Sequence, residues 1–211
     1  MTQTTRGRFI SLEGGEGVGK STQSRALAAA LQAREIEVVE TREPGGSTGA
    51  EAIRKLLLEG GADRWGARAE ALLFAAARAD HVDKTILPAL EAGKWVICDR
   101  FLDSSIAYQG GADGLGAEAI RVLHAVGSAG LLPDRTLLLT LPEELAMARE
   151  AARDAGRPDR FGARDPEYHR RVTGTFRALA EAEPARWRIV EAKGRPEEVT
   201  EALLAALGDM L

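Results

Sequence analysis

The chain has 211 residues, with 28 Lys plus Arg against 32 Asp plus Glu and a formal net charge of −4. That balance excludes a dedicated nucleic-acid binder, whose phosphate footprint would show as a basic excess, and 45% hydrophobic with 28% charged residues excludes extended disorder. No apolar run approaches the ~18 residues of a membrane span, the lone Cys98 leaves no intrachain disulfide or cysteine zinc site, and MTQTTRGRF lacks a signal peptide's apolar stretch, so a cytoplasmic location is expected.

Short apolar runs alternate with longer amphipathic stretches, the pattern of a parallel sheet with crossover helices. RFISLE (8–13) reads as the first strand, followed by a glycine-rich turn and a helix over 20–34. IEVVETR (36–42) is the second strand, then EPGG, a helix over 47–58 and a long Ala-rich helix over 67–90. KWVICD (94–99) is the third strand, with a helix over 117–126 beyond it. RTLLLTL (135–141) and RWRIVEA (186–192) complete the five, with helices over 142–152, 166–182 and 196–207. Pro142, Pro166 and Pro196 suit a first helical turn, where a missing N–H costs little. No repeat or low-complexity linker interrupts the pattern, so one α/β domain over 1–211 is expected. His81, His124 and His169 have no metal-binding spacing and read as surface or helix-packing residues. The segment 149–165 departs from the pattern, with Arg149, Arg153, Arg157, Arg160 and Arg164 around a Gly-Arg-Pro break. Alone it reads as a solvated helix end and a surface loop; in a protein that handles phosphates it would make an arginine-rich flap.

Directly after the first strand, GGEGVGKS (14–21) satisfies G-x-x-x-x-G-K-[ST]. Glycines let backbone N–H groups converge on a polyphosphate, and the following helix adds the positive end of its dipole. Lys20 would reach the β- and γ-phosphates, and the Ser21 hydroxyl would ligate Mg²⁺. Such a loop serves switches, motors and small-molecule kinases alike. The chain contains no asparagine, so it lacks the Asn-Lys-x-Asp element with which a regulatory GTPase reads guanine. A kinase needs a second, acceptor site, and three further segments look like one.

FISLEGGEGVGKSTQ, TREPGGS, LLFAAARADH, DRFLDSSIAYQGG and DRFGARDPEYHRRV follow one another in the order and at about the spacing of bacterial thymidylate kinases. The chain resembles that family from Arg8 to the RWRIVEA strand. The resemblance implies a P-loop NTPase fold of the nucleoside-monophosphate-kinase type: a five-stranded parallel sheet, helices on both faces, and an Arg-rich lid over about 149–165. It also implies a homodimer that makes dTDP from dTMP and ATP with Mg²⁺, in dTTP biosynthesis, with no nucleic-acid or membrane partner. Two rivals stay open: a kinase for another nucleoside monophosphate, and a catalytically idle nucleotide-binding scaffold.

By the same resemblance Gly14, Gly15, Glu16, Gly17, Val18, Gly19, Lys20, Ser21 and Thr22 surround ATP, and Arg149 lies against adenine. Asp99 joins Ser21 near Mg²⁺ and its waters, and Arg100 and Arg54 hold the acceptor phosphate. Phe74 stacks on thymine and Arg78 binds its edge; spacing i to i+4 puts both on one helix face. Ser104, Ser105 and Gln109 contact the nucleoside, Tyr108 lies against the sugar C2′, and Glu16 approaches the 3′-hydroxyl. Pro44 follows the second strand, and a cis bond before it is expected by analogy.

Some family members carry an extra arginine inside the P-loop, two residues before its second glycine. That position is Gly17 here, so the resemblance is to the type that supplies arginine from the lid, with Arg153 or Arg157 favoured and Arg160 pairing with Asp159 or Asp165 to shape the flap. Three positions depart from the family pattern: Gly162 where an acid is common, Asp113 where an arginine is expected, and Thr140 in place of Asp or Asn.

Overall fold

A computed structural model describes residues 6–61, 63–154, 160–162 and 164–211. Strands β1 (Phe9–Glu13), β2 (Val38–Arg42), β3 (Trp95–Asp99), β4 (Arg135–Thr140) and β5 (Trp187–Glu191) form one parallel sheet ordered β2-β3-β1-β4-β5. The α-helices are α1 (Lys20–Gln32), α2 (Thr48–Leu58), α3 (Ala67–His81), α4 (Leu87–Glu91), α5 (Leu102–Ser105), α6 (Ala117–Ser128), α7 (Glu143–Asp154), α8 (Pro166–Ala182) and α9 (Pro196–Ala205).

The central strands are buried almost throughout because alternate residues feed two cores. Phe9, Val96, Cys98 and Leu138 face one core; Ile10, Leu12, Ile97, Leu137 and Leu139 face the other. Leu27 and Leu31 of α1 with Val199 and Leu203 of α9 close the second core. Ala71 of α3, Ile120 of α6 and Val172 and Phe176 of α8 close the first. Helix starts follow local chemistry. Ser47 caps α2 by accepting from the Ala50 N–H at 3.3 Å, and Asp165 caps α8 by accepting from the Tyr168 N–H at 2.8 Å, with Pro166 next.

Two expectations about helices need correction. The stretch over 67–90 is α3 and α4 joined by a π-helical segment, Val82–Ile86. Pro88 cannot donate a bond back toward Lys84, and the widened turn lies just ahead of it. Residues 102–112 had no predicted helix, yet α5 and a π-helical segment Ile106–Ala112 fill them. Every residue from Leu102 to Gly110 is buried, so no polar face marks the helical period.

The register brings the functional loops together. Leu12 of β1 and Arg42 of β2 both lie opposite Asp99 of β3, so the loops after these strands open at one edge of the sheet. Open parallel sheets gather ligands at that carboxyl edge. Glu13, fully buried, ties two loops there: it accepts from the Phe101 N–H at 2.8 Å and the Ser104 hydroxyl at 2.6 Å. Burial, then the neighbouring Asp103 charge, pushes its carboxyl up to about 8. Among the described residues no helix is long and apolar enough to cross a membrane.

Candidate active site

A cleft of about 890 Å³ runs along this edge, within the range of small-molecule sites. Its walls include Glu16, Gly17, Val18, Gly19, Lys20, Ser21 and Thr22 together with Pro44, Arg54, Phe74, Arg78, Arg100, Ser104, Ser105, Tyr108 and Gln109. Arg149 lines the far end beside Ala192 and donates to its carbonyl at 3.2 Å.

The phosphate end is built by the turn between β1 and α1. Gly14 and Gly17 adopt φ of 144° and 70°, a region that disfavours other residues. A Cβ at Gly17 would lie 2.0 Å from the Ala146 carbonyl oxygen of α7. The side chain is therefore excluded by the helix that carries Arg149, which gives a steric reason for the absence of a loop arginine. Lys20 folds over the loop and donates to the Gly15 carbonyl at 2.6 Å. Burial, with the Arg100 cation second, pushes its ammonium down to about 8, against the pull of Glu16 and Asp99.

Ser21 Oγ donates to Asp99 Oδ2, while buried Asp99 Oδ1 has no hydrogen-bond partner among the described residues. One hydroxyl and one carboxylate with a spare oxygen fit Mg²⁺, which takes few protein ligands and completes its shell with water and phosphate. Among the described residues no group of three or more His, Cys, Asp or Glu could hold a metal by itself.

Arg100 stands at the centre of the cleft in a left-handed backbone conformation, φ 71°. It donates to Glu16 Oε1 at 2.6 Å, to the Ser104 hydroxyl at 3.1 Å, to the Gly14 carbonyl at 3.2 Å and to the Tyr108 hydroxyl at 3.2 Å. Burial opposes its charge, but Glu16 and the other acids outweigh burial and hold the guanidinium firmly protonated. Tyr108 also donates to Glu16 at 2.9 Å, so the ring is pinned against the arginine.

At the acceptor end Arg54 donates to the Pro44 carbonyl at 2.6 Å, and the Glu43–Pro44 bond is cis, as expected. Phe74 is half-buried at the cleft wall. Arg78 is buried and donates to Glu43 at 2.7 Å, to the Ser105 hydroxyl at 2.7 Å and to the Phe101 carbonyl at 3.2 Å. Glu43 in turn meets His81 Nδ1 at 3.0 Å, and His81 Nε2 meets the Thr41 hydroxyl at 2.7 Å. Burial alone would raise the Glu43 carboxyl, yet Arg78 and then His81 hold it below the ordinary range. His81 and His124 are buried packing residues.

Sequence reasoning missed Glu43, Glu70 and Phe161. Glu43 stands next to Pro44 in a quoted motif, and Glu70 precedes Phe74 by the same four residues that separate Phe74 from Arg78. Gln109 donates to Glu70 at 2.9 Å, so its amide is held by a buried carboxylate.

The arginine-rich segment differs from expectation where it is described. Residues 149–154 continue α7, and Arg160 and Phe161 are buried. Arg160 donates to Glu70 at 2.8 Å and to the carbonyls of Leu57 and Gly61, while Asp165 caps α8. A buried cation fixed by Glu70 and two backbone carbonyls does not read as a solvated surface residue. Arg157, Asp159 and the Arg153 side chain lie outside the described residues. Asp113, found where an arginine is usual, has its own cation in Arg164 at 3.6 Å. Thr140 ends β4, and its carbonyl accepts from the Ala192 N–H at 2.7 Å.

The thymidylate kinase family model matches residues 12–203. A thymidylate kinase of Rhizorhabdus wittichii is 70% identical over 205 residues, 97% of this chain and 99% of that protein. One from Gluconobacter oxydans is 51% identical, covering 98% of this chain and 96% of its own length. The crystal structure of thymidylate kinase from Ehrlichia chaffeensis superposes with a TM-score of 0.78 at 31% identity, covering 96% of this chain and 99% of that one. Sequence and fold agree along nearly the whole length, and the chain belongs to the thymidylate kinase family.

Proposed function

We propose that this protein transfers the γ-phosphoryl group of ATP to the phosphate of dTMP, giving ADP and dTDP for dTTP biosynthesis, and that the cleft residues above divide the work. The observation that carries the reading is one continuous cleft lined both by the P-loop lysine and by the Phe74–Arg78 pair. An acceptor-phosphate oxygen forms the new bond to the γ-phosphorus as the bond to the bridging β,γ-oxygen breaks, and ADP leaves with those electrons. No general base is required, because the acceptor phosphate, with a second pKa of about 6, is already largely dianionic. Catalysis rests on positioning and on charge neutralisation.

Lys20 leaves the Gly15 carbonyl for the donor phosphates, and their charge restores its full protonation. Arg100, freed from Glu16 by a stronger anion, clamps the acceptor phosphate with Arg54. Ser21 and Asp99 would hold Mg²⁺, which supplies charge neutralisation across the donor phosphates when bound. Phe74 offers thymine a ring face, and Arg78, its aim set by Glu43 and Ser105, donates to the base edge. Ser104, Ser105 and Gln109 complete the nucleoside contacts, and Tyr108 blocks a ribose hydroxyl. Arg149 packs on adenine, and Arg153 or Arg157 meets the charge that develops on the transferred group.

We further read the chain as one kinase domain and as a cytoplasmic homodimer, in line with its family. The exposed Leu72 of α3 and Val122 and Val126 of α6 support pairing through those neighbouring helices. A coupled ADP-release assay over dTMP, dUMP, dCMP, dGMP and AMP tests the reaction. We expect kcat/KM for dTMP to exceed each of the others by about tenfold or more. A different preferred acceptor, or ATP binding without turnover, would replace this reading with one of its rivals.

A further inference from the structure

Phe161 and its neighbour Arg160 stand out because the segment they belong to reads as solvent-facing, yet both are buried, and Phe161 lines the cleft together with Phe74. The Phe161 ring sits 5.7 Å from Phe74 at 64° and 6.1 Å from Tyr108 at 82°, edge-on to both. Such edge-to-face contacts are favourable and fix ring orientation. The place occupied by Phe161 is set one residue earlier. Arg160 Nη2 donates to Glu70 Oε2 at 2.8 Å, Nη1 to the Leu57 carbonyl at 2.7 Å and Nε to the Gly61 carbonyl at 3.0 Å. One guanidinium thus joins the end of α2, the loop after it and the first turn of α3. Glu70 gives its other oxygen to Gln109 at 2.9 Å, so the same carboxylate orients Gln109 and Arg160 one turn before Phe74.

We propose that Phe161 is a second aromatic wall of the acceptor-base pocket, set by the buried Arg160–Glu70 pair, and that it limits the slot over Phe74 to a single-ring base. This inference rests on the dTMP-kinase reading and adds a selectivity residue to it. The two rings touch edge to face, so a planar pyrimidine stacked on Phe74 fits beside Phe161 rather than between the two, whereas the second ring of a purine meets the Phe161 ring. Arg160 acts through its neighbour and is a positioning residue. A planar fork with donors in three directions suits that task, and lysine could not reproduce it.

The test compares the parent with Phe161→Ala, Phe161→Leu and Arg160→Met, measuring kcat and KM for dTMP, dGMP and ATP. The parent answers the parent reading separately: if it does not phosphorylate dTMP, that reading fails, whatever the variants do. Given an active parent, Phe161→Ala should raise KM for dTMP about tenfold, equivalent to ~1.4 kcal/mol, with kcat and KM for ATP within about threefold. It should also raise the dGMP-to-dTMP ratio of kcat/KM about tenfold. Phe161→Leu, which keeps bulk, should fall between parent and alanine on both measures. Arg160→Met should copy the rise in KM for dTMP. If it does not fold, the double variant Glu70→Gln with Arg160→Met, which leaves no unpaired buried charge, replaces it. The proposal is overturned if Phe161→Ala leaves KM for dTMP and the purine ratio unchanged, or if it lowers kcat and weakens ATP to the same extent as dTMP.

Discussion

Substituting Glu43 tests whether Arg78 is aimed at the base by a buried carboxylate. Glu43 lies 2.7 Å from Arg78 Nε and 3.0 Å from His81 Nδ1, and all three side chains are 4% exposed or less. Glu43→Ala would strand a buried guanidinium, a loss of ~3–5 kcal/mol. Glu43→Gln is the sharper probe. Its oxygen can still accept from Arg78, and its amide can donate to His81 once the imidazole proton moves to Nε2, facing the Thr41 hydroxyl. What goes is charge assistance, ~1–2 kcal/mol by the difference between charged and neutral hydrogen bonds. At ~2–4 °C per kcal/mol for a chain of this size, Tm should drop by roughly 2–8 °C. KM for dTMP should rise about tenfold if ~1.4 kcal/mol of the aiming is lost, with KM for ATP unchanged. The pH dependence has a definite sign. The folded Glu43 carboxyl is held below its ordinary 4.5, so its stabilisation is complete above that value and is lost as pH falls through the lower folded value. Thermal unfolding from pH 7 downward should therefore show a shallower acid limb for Glu43→Gln than for the parent. Equal KM for dTMP in parent and Gln variant, measured by coupled ADP release, would refute the argument that Glu43 aims Arg78.

Lys20→Ala should abolish transfer while the protein still folds; with the parent, kcat/KM for ATP should decline as pH rises through about 8, where the free-enzyme lysine titrates, while kcat holds to higher pH. Gly17→Ala combines ~1–2 kcal/mol of left-handed backbone strain with a Cβ 2.0 Å from the Ala146 carbonyl, so α7 must move and KM for ATP should rise; an unchanged value would show that α7 yields freely. Tyr108→Phe should keep the preference for deoxyribose but slow kcat roughly 3–10-fold, the scale of one lost hydrogen bond to the Glu16–Arg100 pair, whereas Tyr108→Ala should relax the preference; equal behaviour of the two would refute a steric role for the ring. Among the lid arginines, Arg153→Ala or Arg157→Ala should lower kcat by about two orders of magnitude with little change in KM, and Arg160→Ala should instead lower Tm; parent-like turnover of both the Arg153 and Arg157 variants would remove them from the transition state.

The sequence by itself determined the class of fold and the chemistry at its centre. Five apolar runs separated by helical stretches require a parallel sheet, because strands buried on both faces show no alternation and crossovers need a helix's length. The P-loop is legible since its requirements are local: glycines where φ is positive, then Lys20 and Ser21 at the start of a helix. The family resemblance singles out Phe74 and Arg78, and i to i+4 spacing adds that the two share one helix face. Tertiary structure alone decided the rest. Glu43 and Arg78 are 35 residues apart and Glu70 and Arg160 are 90 apart, and no local rule links such pairs. The helical path of 102–112 was hidden because burial on every side erases the polar stripe from which a helical period is read. Arg160 looked solvated because arginine within a charged run usually is. Its burial depends on two carbonyls and a carboxylate that only the packed chain brings within 3.0 Å. A charge can be buried only where its partners are already in place, and where those partners stand is a property of the fold.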